Sequence, residues 1–291
     1  MMLSQRTFAL LLAMTPRLGG KTVTKVLVRN NILNREPEDF LRLSAEAMIE
    51  EYKLHPDAAN KIVSDPSRAL QKAKVLEARL LGLGVQLTTS NDAHYPRLIE
   101  EMDSSPPGIL FLYGNQRLLE SQTFCVLSSR DSSPAALDQI ERLAEDGVLK
   151  GDVLVTGHDR IEYQRSAIVP LRWGAPRILC FDRGLFKVLG EDLKDEAFRA
   201  ARLWRYEFDP QTDLAISPFR PEADFVGVNN QIRDRIVASL SKRLDFVHLS
   251  DSGNMRKYAL NALKIGRQVR VSDRIVNYRE LAAKGAEVID A

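Results

Sequence analysis

Three short polar stretches, each directly after an apolar run, carry the residues of this sequence that could do chemistry. They span 128–133, 156–160 and 251–254. Hydroxyl groups, backbone N–H groups at helix starts and guanidinium groups are what proteins use to hold phosphate oxygens. The composition predicts an anion site, although the same residues would also serve as helix caps with local Arg–Asp pairs. The candidate phosphate ligands are Ser128, Ser129, Arg130, Thr156, Gly157, Arg160, Ser252 and Gly253.

Two further candidate ligands, Arg233 and Arg235, lie in the segment 229–241, which has the apolar spacing of a helix. At 3.6 residues per turn their side chains lie about 200° apart, so they cannot share one face. One of them must lean toward the packed side. There it needs a carboxylate, such as Asp234 or Asp245, or an anion from outside.

From about residue 122, short apolar runs alternate with helical patterns. This alternation predicts an α/β fold with a doubly wound, mostly parallel Rossmann-like sheet. The expected strands are 123–127, 152–156, 177–181, 206–208, 245–249 and 268–271. The expected helices are 134–146 with Ser133 as N-cap, 160–173, 191–203, 229–241 with Asn229 or Asn230 as N-cap, and 255–265. Ligands of open α/β sheets bind beyond the carboxyl ends of the strands, where the three polar stretches lie.

The chain is expected to have three parts. Residues 1–82 contain short helical patterns and are expected to form an N-terminal helical domain. The tight turn at 18–20 is either a phosphate-binding helix-hairpin-helix-like turn or an ordinary αα-hairpin. Residues 83–121 are expected to be an extended connector packed on the core, and 122–291 the Rossmann-like core domain.

Composition and charge are those of a globular protein. The 41 basic and 39 acidic residues give a net charge of +2, so a nucleic-acid site must be a local patch. Cys125 and Cys180 each lie in an apolar run, which predicts buried, reduced thiols and a cytoplasmic location. The apolar run 8–14 is too short to span a bilayer, so we expect no membrane association and no signal peptide.

Motifs of common phosphate-using enzymes are absent from the sequence. It has no Walker A loop, no G-x-G-x-x-G after a strand and no nucleophile elbow. The histidines His55, His94, His158 and His248 lack metal-ligand spacing, and His248 is expected within a strand as a core residue. The acid-x-lysine pattern at 191–194 is expected on a solvated helix face. We therefore expect no catalysis, no metal and no cofactor.

Several stretches resemble motifs of DNA-processing protein A, the DprA/Smf family. Residues 233–241 resemble its R-N-R-I-I-A-G-L-S motif, 126–130 its V-G-S-R motif and 154–160 its L-V-S-G-L-A-R motif. In the connector, 91–98 resemble its D-x-x-Y-P-x-x-L element and 106–115 its P-P-x-L-F-x-x-G-N element. The shorter S-G, G-R and G-A pairs of the family have counterparts at 252–253, 266–267 and 285–286.

The resemblance covers residues 85–291 well and 1–82 loosely. It implies single-stranded DNA as the ligand, with phosphates held at the polar stretches. It further implies protection of that DNA and loading of a RecA-type recombinase, in natural transformation or related DNA recombination. It also implies a homodimer through the carboxyl-terminal part of the core, where Val276, Tyr278 and Leu281 are expected to be exposed.

This sequence departs from the family motifs where an anion would bind. Ser128 replaces a glycine, Asp234 replaces the asparagine of R-N-R, and Ile161 and Glu162 replace Gly-Ile. Asp251 adds an acid beside the third stretch. Glycine lets the backbone approach an anion closely, and a carboxylate repels one. Two alternatives therefore stay open: a nucleotide sensor or enzyme that uses the same rim, and a structural protein without a ligand.

Overall fold

A single sheet organises the described residues, which are 3–130 and 132–290 of the computed structural model; Asp131, in the first polar stretch, lies outside them. Within them nine strands form this sheet, in the order β1-β2-β6-β5-β4-β3-β7-β8-β9. The strands are β1 Val85–Thr89, β2 Ile109–Gly114, β3 Thr123–Ser128, β4 Val153–Thr156, β5 Arg177–Cys180, β6 Leu214–Ser217, β7 Arg243–His248, β8 Gln268–Ser272 and β9 Glu287–Ile289.

The sheet is parallel except at one edge. β2 pairs antiparallel with both β1 and β6, whereas the strands from β6 across to β9 pair parallel. The predicted α/β fold with a mostly parallel Rossmann-like sheet is therefore confirmed. The segment expected to be an extended connector supplies β1 and β2.

Helices cover the sheet and build the amino-terminal part of the chain. They are α1 Gln5–Met14, α2 Gly20–Ile32, α3 Pro37–Leu41, α4 Ala45–Tyr52, α5 Pro56–Ser64, α6 Pro66–Gly82, α7 Arg97–Met102, α8 Pro134–Leu149, α9 Ile161–Trp173, α10 Leu185–Leu189, α11 Asn229–Leu240, α12 Asn254–Lys264 and α13 Tyr278–Ala283. Short 3-10 turns occur at Gln116–Glu120 and Arg199–Leu203.

Both faces of the central strands are buried, because successive side chains of a strand point to opposite faces. Along β3, Phe124 and Val126 pack in one apolar cluster with residues of α8. Cys125 and Leu127 pack in another cluster, with residues of α11 and α12. This double covering explains why the strands read as continuous apolar runs.

The amino-terminal helices share an apolar cluster with the sheet edge. Phe8 of α1 and Phe40 of α3 belong to the same cluster as Val85 of β1 and Phe111 of β2. The division of the chain at residues 82 and 121 stays a prediction.

The expected helix over 191–203 and strand over 206–208 are wrong. Gly190 and Leu193 have φ values of 77° and 60°, which no α-helix accepts. The chain then runs irregularly, so that the buried Glu196 reaches Arg177 at 2.7 Å. The acid-x-lysine pattern at 191–194 therefore lies outside any helix, and the strand of this region is β6.

Both thiols lie in the core, as predicted. Cys125 and Cys180 are buried and free. Burial raises the pKa of Cys125 to about 12 and raises that of Cys180 as well. None of the described helices combines the length and apolarity that a membrane crossing requires.

Candidate functional site

The three polar stretches meet at one edge of the sheet, which we call the carboxyl rim. β3 ends at Ser128, β4 at Thr156 and β7 at His248. β3 pairs parallel with both β4 and β7, so the carboxyl ends of these strands are neighbours. The strand order thus brings the third stretch, at 251–254, beside the first two, which lie within 128–160.

A cleft of about 380 Å³ opens at this rim. We call it the rim cleft; it contains the predicted ligands Ser129, Arg130, Arg160 and Gly253. Its lining is Ser129, Arg130, Arg160, Asn230, Gln231, Asp234, His248, Ser250, Gly253, Asn254 and Met255. The lining is polar, and its charged side chains are two arginines and one aspartate.

Ser129 and Gly253 fix the shape of the rim cleft. The backbone N–H of Ser250 donates to Ser129 Oγ at 3.0 Å, which ties the loop after β3 to the loop after β7. A Cβ on Gly253 would lie 2.2 Å from Ser250 Oγ. A larger residue at 253 would therefore force the Ser250 hydroxyl out of its position beside Ser129.

Two helices begin at the rim without a side-chain cap. The N-cap residues are Arg160 for α9 and Gly253 for α12, and neither makes a side-chain hydrogen bond to the first N–H groups of its helix. The first N–H groups of a helix point outward with a partial positive charge, which favours an anion there. Ser133, by contrast, caps α8 as predicted, by accepting a hydrogen bond from the Ala136 N–H.

The first turn of α11 also faces the rim cleft. The residue at its N-cap position is Val228, so the expected cap by Asn229 or Asn230 is wrong. Asn229 is buried and donates from Nδ2 to the Asp182 carbonyl at 2.8 Å, which locks the start of α11 against the loop after β5. Asn230 lines the rim cleft.

Arg130 and Arg160 are the open charges of the rim. Arg130 is exposed. Arg160 has a side chain 16% exposed and one carboxylate nearby, Glu162 at 3.5 Å. Both line the rim cleft, and Asp234 is the carboxylate in the same lining. Asp251, expected to repel an anion, is exposed but does not line the cleft.

Arg233 is closed inside the fold. Its side chain is fully buried, with Nε 2.8 Å from Asp234 and Nη1 paired with Asp159. The guanidinium carbon also lies 4.7 Å from the ring centroid of Tyr163, whose hydroxyl donates to Asp234 at 2.6 Å. Burial alone would raise the pKa of Asp159, but the Arg233 charge holds that pKa below its usual value. The partner of Arg233 is thus one of the carboxylates that the sequence suggested, joined by Asp159.

Arg235 points away from the rim. Its Nε lies 3.2 Å from Asp103, which follows α7. The two arginines of α11 therefore do face different sides of the helix, and neither lines the rim cleft.

The other predicted ligands also stay outside the rim cleft. The hydroxyls of Ser128 and Ser132 lie 2.7 Å apart, and Thr156 Oγ1 lies 3.2 Å from the Ser166 hydroxyl in the interior. Gly157 packs against Tyr163 and Arg233. Ser252 is exposed in the third loop and lines no part of the cleft.

The two histidines of the rim differ in accessibility. His248 is exposed at the end of β7 and lines the rim cleft, so its expected place in the core is wrong. His158 is buried with its ring edge-on to Phe181 at 5.0 Å. Burial lowers the pKa of His158 to about 4, so its ring is neutral at pH 7.

Sequence reasoning missed several lining residues, above all Asn230, Gln231, Ser250 and Asn254. A signal was available for Asn230 and Gln231, because both lie in the first turn of the helix that the sequence predicted over 229–241. The described residues contain no group of His, Cys, Asp and Glu able to hold a metal ion.

Comparison with known proteins supports the resemblance. Residues 86–160 match the family described as DNA recombination-mediator protein A. The fold is similar to that of DNA processing protein A (DprA) from Streptococcus pneumoniae, with a TM-score of 0.67 at 17% identity over 99% of this chain and 95% of that chain. It is also similar to DNA processing protein A from Helicobacter pylori, described for its single-stranded DNA binding mode, with a TM-score of 0.52 at 18% identity over 70% of this chain and 91% of that chain. No curated protein matches the sequence. The predicted family resemblance and fold are confirmed.

Proposed function

We propose that this member of the DNA recombination-mediator protein A family binds single-stranded DNA through backbone phosphates at the carboxyl rim. The observation that carries the proposal is the convergence of Arg130 and Arg160 with two uncapped helix starts in one cleft. Phosphate groups match both the open guanidinium groups and the outward N–H groups. The role is binding without catalysis.

Arg130→Ala and Arg160→Ala test this proposal. Phosphate contacts carry no base information, so each change should weaken binding about equally for oligonucleotides of any sequence. Each should also flatten the plot of log K against log salt by roughly 0.7, the value for one single-strand contact. Fluorescence anisotropy with labelled oligonucleotides at several salt concentrations measures both effects.

Arg142→Ala is the matched control, because Arg142 is exposed on α8 and does not line the rim cleft. Melting temperatures show whether each variant is folded. If the two rim variants fold and bind DNA with the same affinity and salt slope as the control, the rim does not hold DNA.

A nucleotide is the second candidate ligand. The rim cleft, at about 380 Å³, lies within the size range of small-molecule sites, roughly 300–1,000 Å³. Thermal shift with a panel of mononucleotides and signalling nucleotides separates the two. A nucleotide that raises the melting temperature, with no binding of oligonucleotides, would replace DNA as the ligand.

Loading of a RecA-type recombinase is proposed on the family resemblance alone. Its test is whether the protein speeds filament formation by such a recombinase on single-stranded DNA already covered by a binding protein. A cytoplasmic location is proposed as well, and the two free buried thiols support it.

The homodimer also stays a proposal that rests on resemblance. Val276 is 68% exposed, as expected for a residue at such an interface, but Leu281 is fully buried and belongs to the core. Light scattering at micromolar concentration tests it: a dimer mass supports the proposal, and a monomer mass contradicts it.

A further inference from the structure

Two further clefts extend from the rim cleft toward the amino-terminal helices. Asn230 lines the rim cleft, and its neighbour Asn229 lines a second cleft of about 330 Å³. The second cleft lies between the start of α2, at Gly19 and Gly20, and the loop after β6. It shares Arg220 with a third cleft. Arg220 thus belongs to both the second and the third cleft, and the start of α11 separates the second cleft from the rim cleft; we call the three clefts together the path.

The third cleft is strongly basic. It has a volume of about 420 Å³ and lies between α1, α5, α6 and the loop after β6. We call the cations that line it the basic cluster: Lys61, Arg68, Lys72 and Arg220. They surround an apolar floor made by Leu11, Met14, Pro16 and Ala69.

Little negative charge offsets the basic cluster. Asp65 is the carboxylate in the lining, and one of its oxygens accepts a hydrogen bond from the Arg68 backbone N–H at 3.0 Å to cap α6. Among the described residues, none of the four cations lies within 4.0 Å of a carboxylate oxygen. In the second cleft, Asp224 is already paired with Lys187 at 3.2 Å. The path therefore stays positive where it reaches the helices.

We infer that the basic cluster is a second phosphate site, which holds single-stranded DNA after it leaves the rim cleft; this inference rests on the proposed function. A mononucleotide fits within one cleft and gains nothing from the other two. A polymer with a charge on every residue can contact the rim and the basic cluster at once, and the gain appears only when it is long enough. The apolar floor gives its bases a surface to pack on.

The test uses the full chain and two lengths of oligonucleotide: about six nucleotides, near the lower end of common single-strand site sizes, and about twenty, above their upper end. Arg68→Gln combined with Lys72→Gln should leave the affinity for the short oligonucleotide unchanged. For the long one it should weaken binding and flatten the plot of log K against log salt by roughly 1.4, which corresponds to two lost contacts.

The matched comparison is Lys72→Gln against Lys74→Gln. Both lysines are exposed on α6, but Lys74 does not line the third cleft, because two positions along a helix turn a side chain by about 200°. Each removes one charge from the same helix. Lys72→Gln should therefore flatten the salt plot of the long oligonucleotide by roughly 0.7, and Lys74→Gln should leave it unchanged.

Failure of this inference is distinguishable from failure of the rim site. If Arg130→Ala weakens both oligonucleotides while Lys72→Gln and Lys74→Gln behave alike at both lengths, the rim binds DNA and the basic cluster does not. If the variants of the basic cluster weaken the short oligonucleotide as much as the long one, the cluster is not an extension of the rim and the inference is wrong. Melting temperatures equal to wild type confirm that the variants are folded.

Discussion

Arginines at the amino ends of the parallel strands and arginines at the carboxyl rim differ in how their charges are paired. At the amino ends of the strands, which we call the amino edge, Arg177 begins β5 and is fully buried. It lies 3.0 Å from Asp213 and 2.7 Å from Glu196. At the carboxyl edge, Arg130 is exposed and Arg160 has one carboxylate nearby, at 3.5 Å. An arginine therefore indicates an anion site where the fold leaves its side chain at the surface of a cleft with at most one carboxylate nearby, and not where carboxylates enclose it.

Arg233 shows that a position near the carboxyl rim does not by itself leave an arginine available to an anion. It lies near the carboxyl rim and within the stretch that most resembles the family motif, yet Asp159 and Asp234 enclose it. Asp234 is the residue that departs from the motif. This departure adds a negative charge in contact with Arg233 and at the wall of the rim cleft at the same time.

The largest effect is expected for Arg177→Ala. It leaves Asp213 and Glu196 buried without their shared partner, which should lower the free energy of unfolding by about 3–5 kcal/mol. Urea denaturation measures the change. Arg205→Ala is the control, because Arg205 also contacts Asp213, at 2.6 Å, but its side chain is 21% exposed. If Arg177→Ala loses no more stability than the control, the buried ion pairs of Arg177 with Asp213 and Glu196 do not stabilise the fold as expected.

Arg233→Gln should also act on stability rather than on the rim. Removing the buried guanidinium leaves two carboxylates close together, so we expect a loss of about 3 kcal/mol in the free energy of unfolding. Adding Asp159→Asn should restore part of that loss, since it removes one of the unpaired charges. A folded Arg233→Gln protein that loses DNA affinity with unchanged stability would show that Arg233 is open to the ligand.

The buried His158 predicts a dependence of stability on pH. Its folded pKa, about 4, lies below the usual value near 6.5. As the pH falls from about 6.5 to 4, His158 becomes protonated in the unfolded chain but stays neutral in the folded chain. The free energy of unfolding should therefore fall by on the order of 3 kcal/mol across this window.

His158→Gln isolates that contribution. The variant lacks the titrating ring, so its stability between pH 7 and pH 4 should decline less steeply than that of the wild type. Asp159, whose pKa is lowered, contributes stability that is lost only at lower pH and is present in both proteins. Parallel declines of the two proteins would show that His158 is protonated in the folded state at these pH values.

The sequence predicted the strands of the sheet better than it predicted which charged side chains are buried and paired. Apolar runs such as 123–127 locate strands because both faces of the sheet are covered, and a ligand edge follows from strand direction. The helix expected over 191–203 failed because Glu196 is drawn into the core by Arg177. Local propensity cannot report such a tertiary contact.

Local sequence patterns have the same limit at the rim cleft. The composition of the three stretches, with the strand order, located the rim and four of the residues that line its cleft, Ser129, Arg130, Arg160 and Gly253. Which arginines stay open depends on pairs such as Arg233 with Asp159, residues 74 positions apart. No local spacing encodes that pairing, so the sequence could indicate that Arg233 or Arg235 is packed inside the fold but not which of the two, nor that Asp159 is a partner.

The smallest effect is expected for Arg235→Ala, and it sharpens the distinction between open and closed arginines. Arg235 is 30% exposed and lies 3.2 Å from Asp103, but its Nε makes no hydrogen bond within the described residues. Such a pair is close enough for attraction but poorly aligned, and the buried Asp103 keeps a hydrogen bond from the Ser105 N–H. Loss of the pair should therefore lower the free energy of unfolding by about 1–2 kcal/mol. DNA affinity and salt slope should stay at wild-type values, since the side chain faces α7 and not the rim. Anisotropy and urea denaturation on the same preparation measure both quantities. A flatter salt slope for Arg235→Ala would mean that DNA reaches the α7 side of α11, and the boundary of the binding surface would then have to be redrawn to include Arg235.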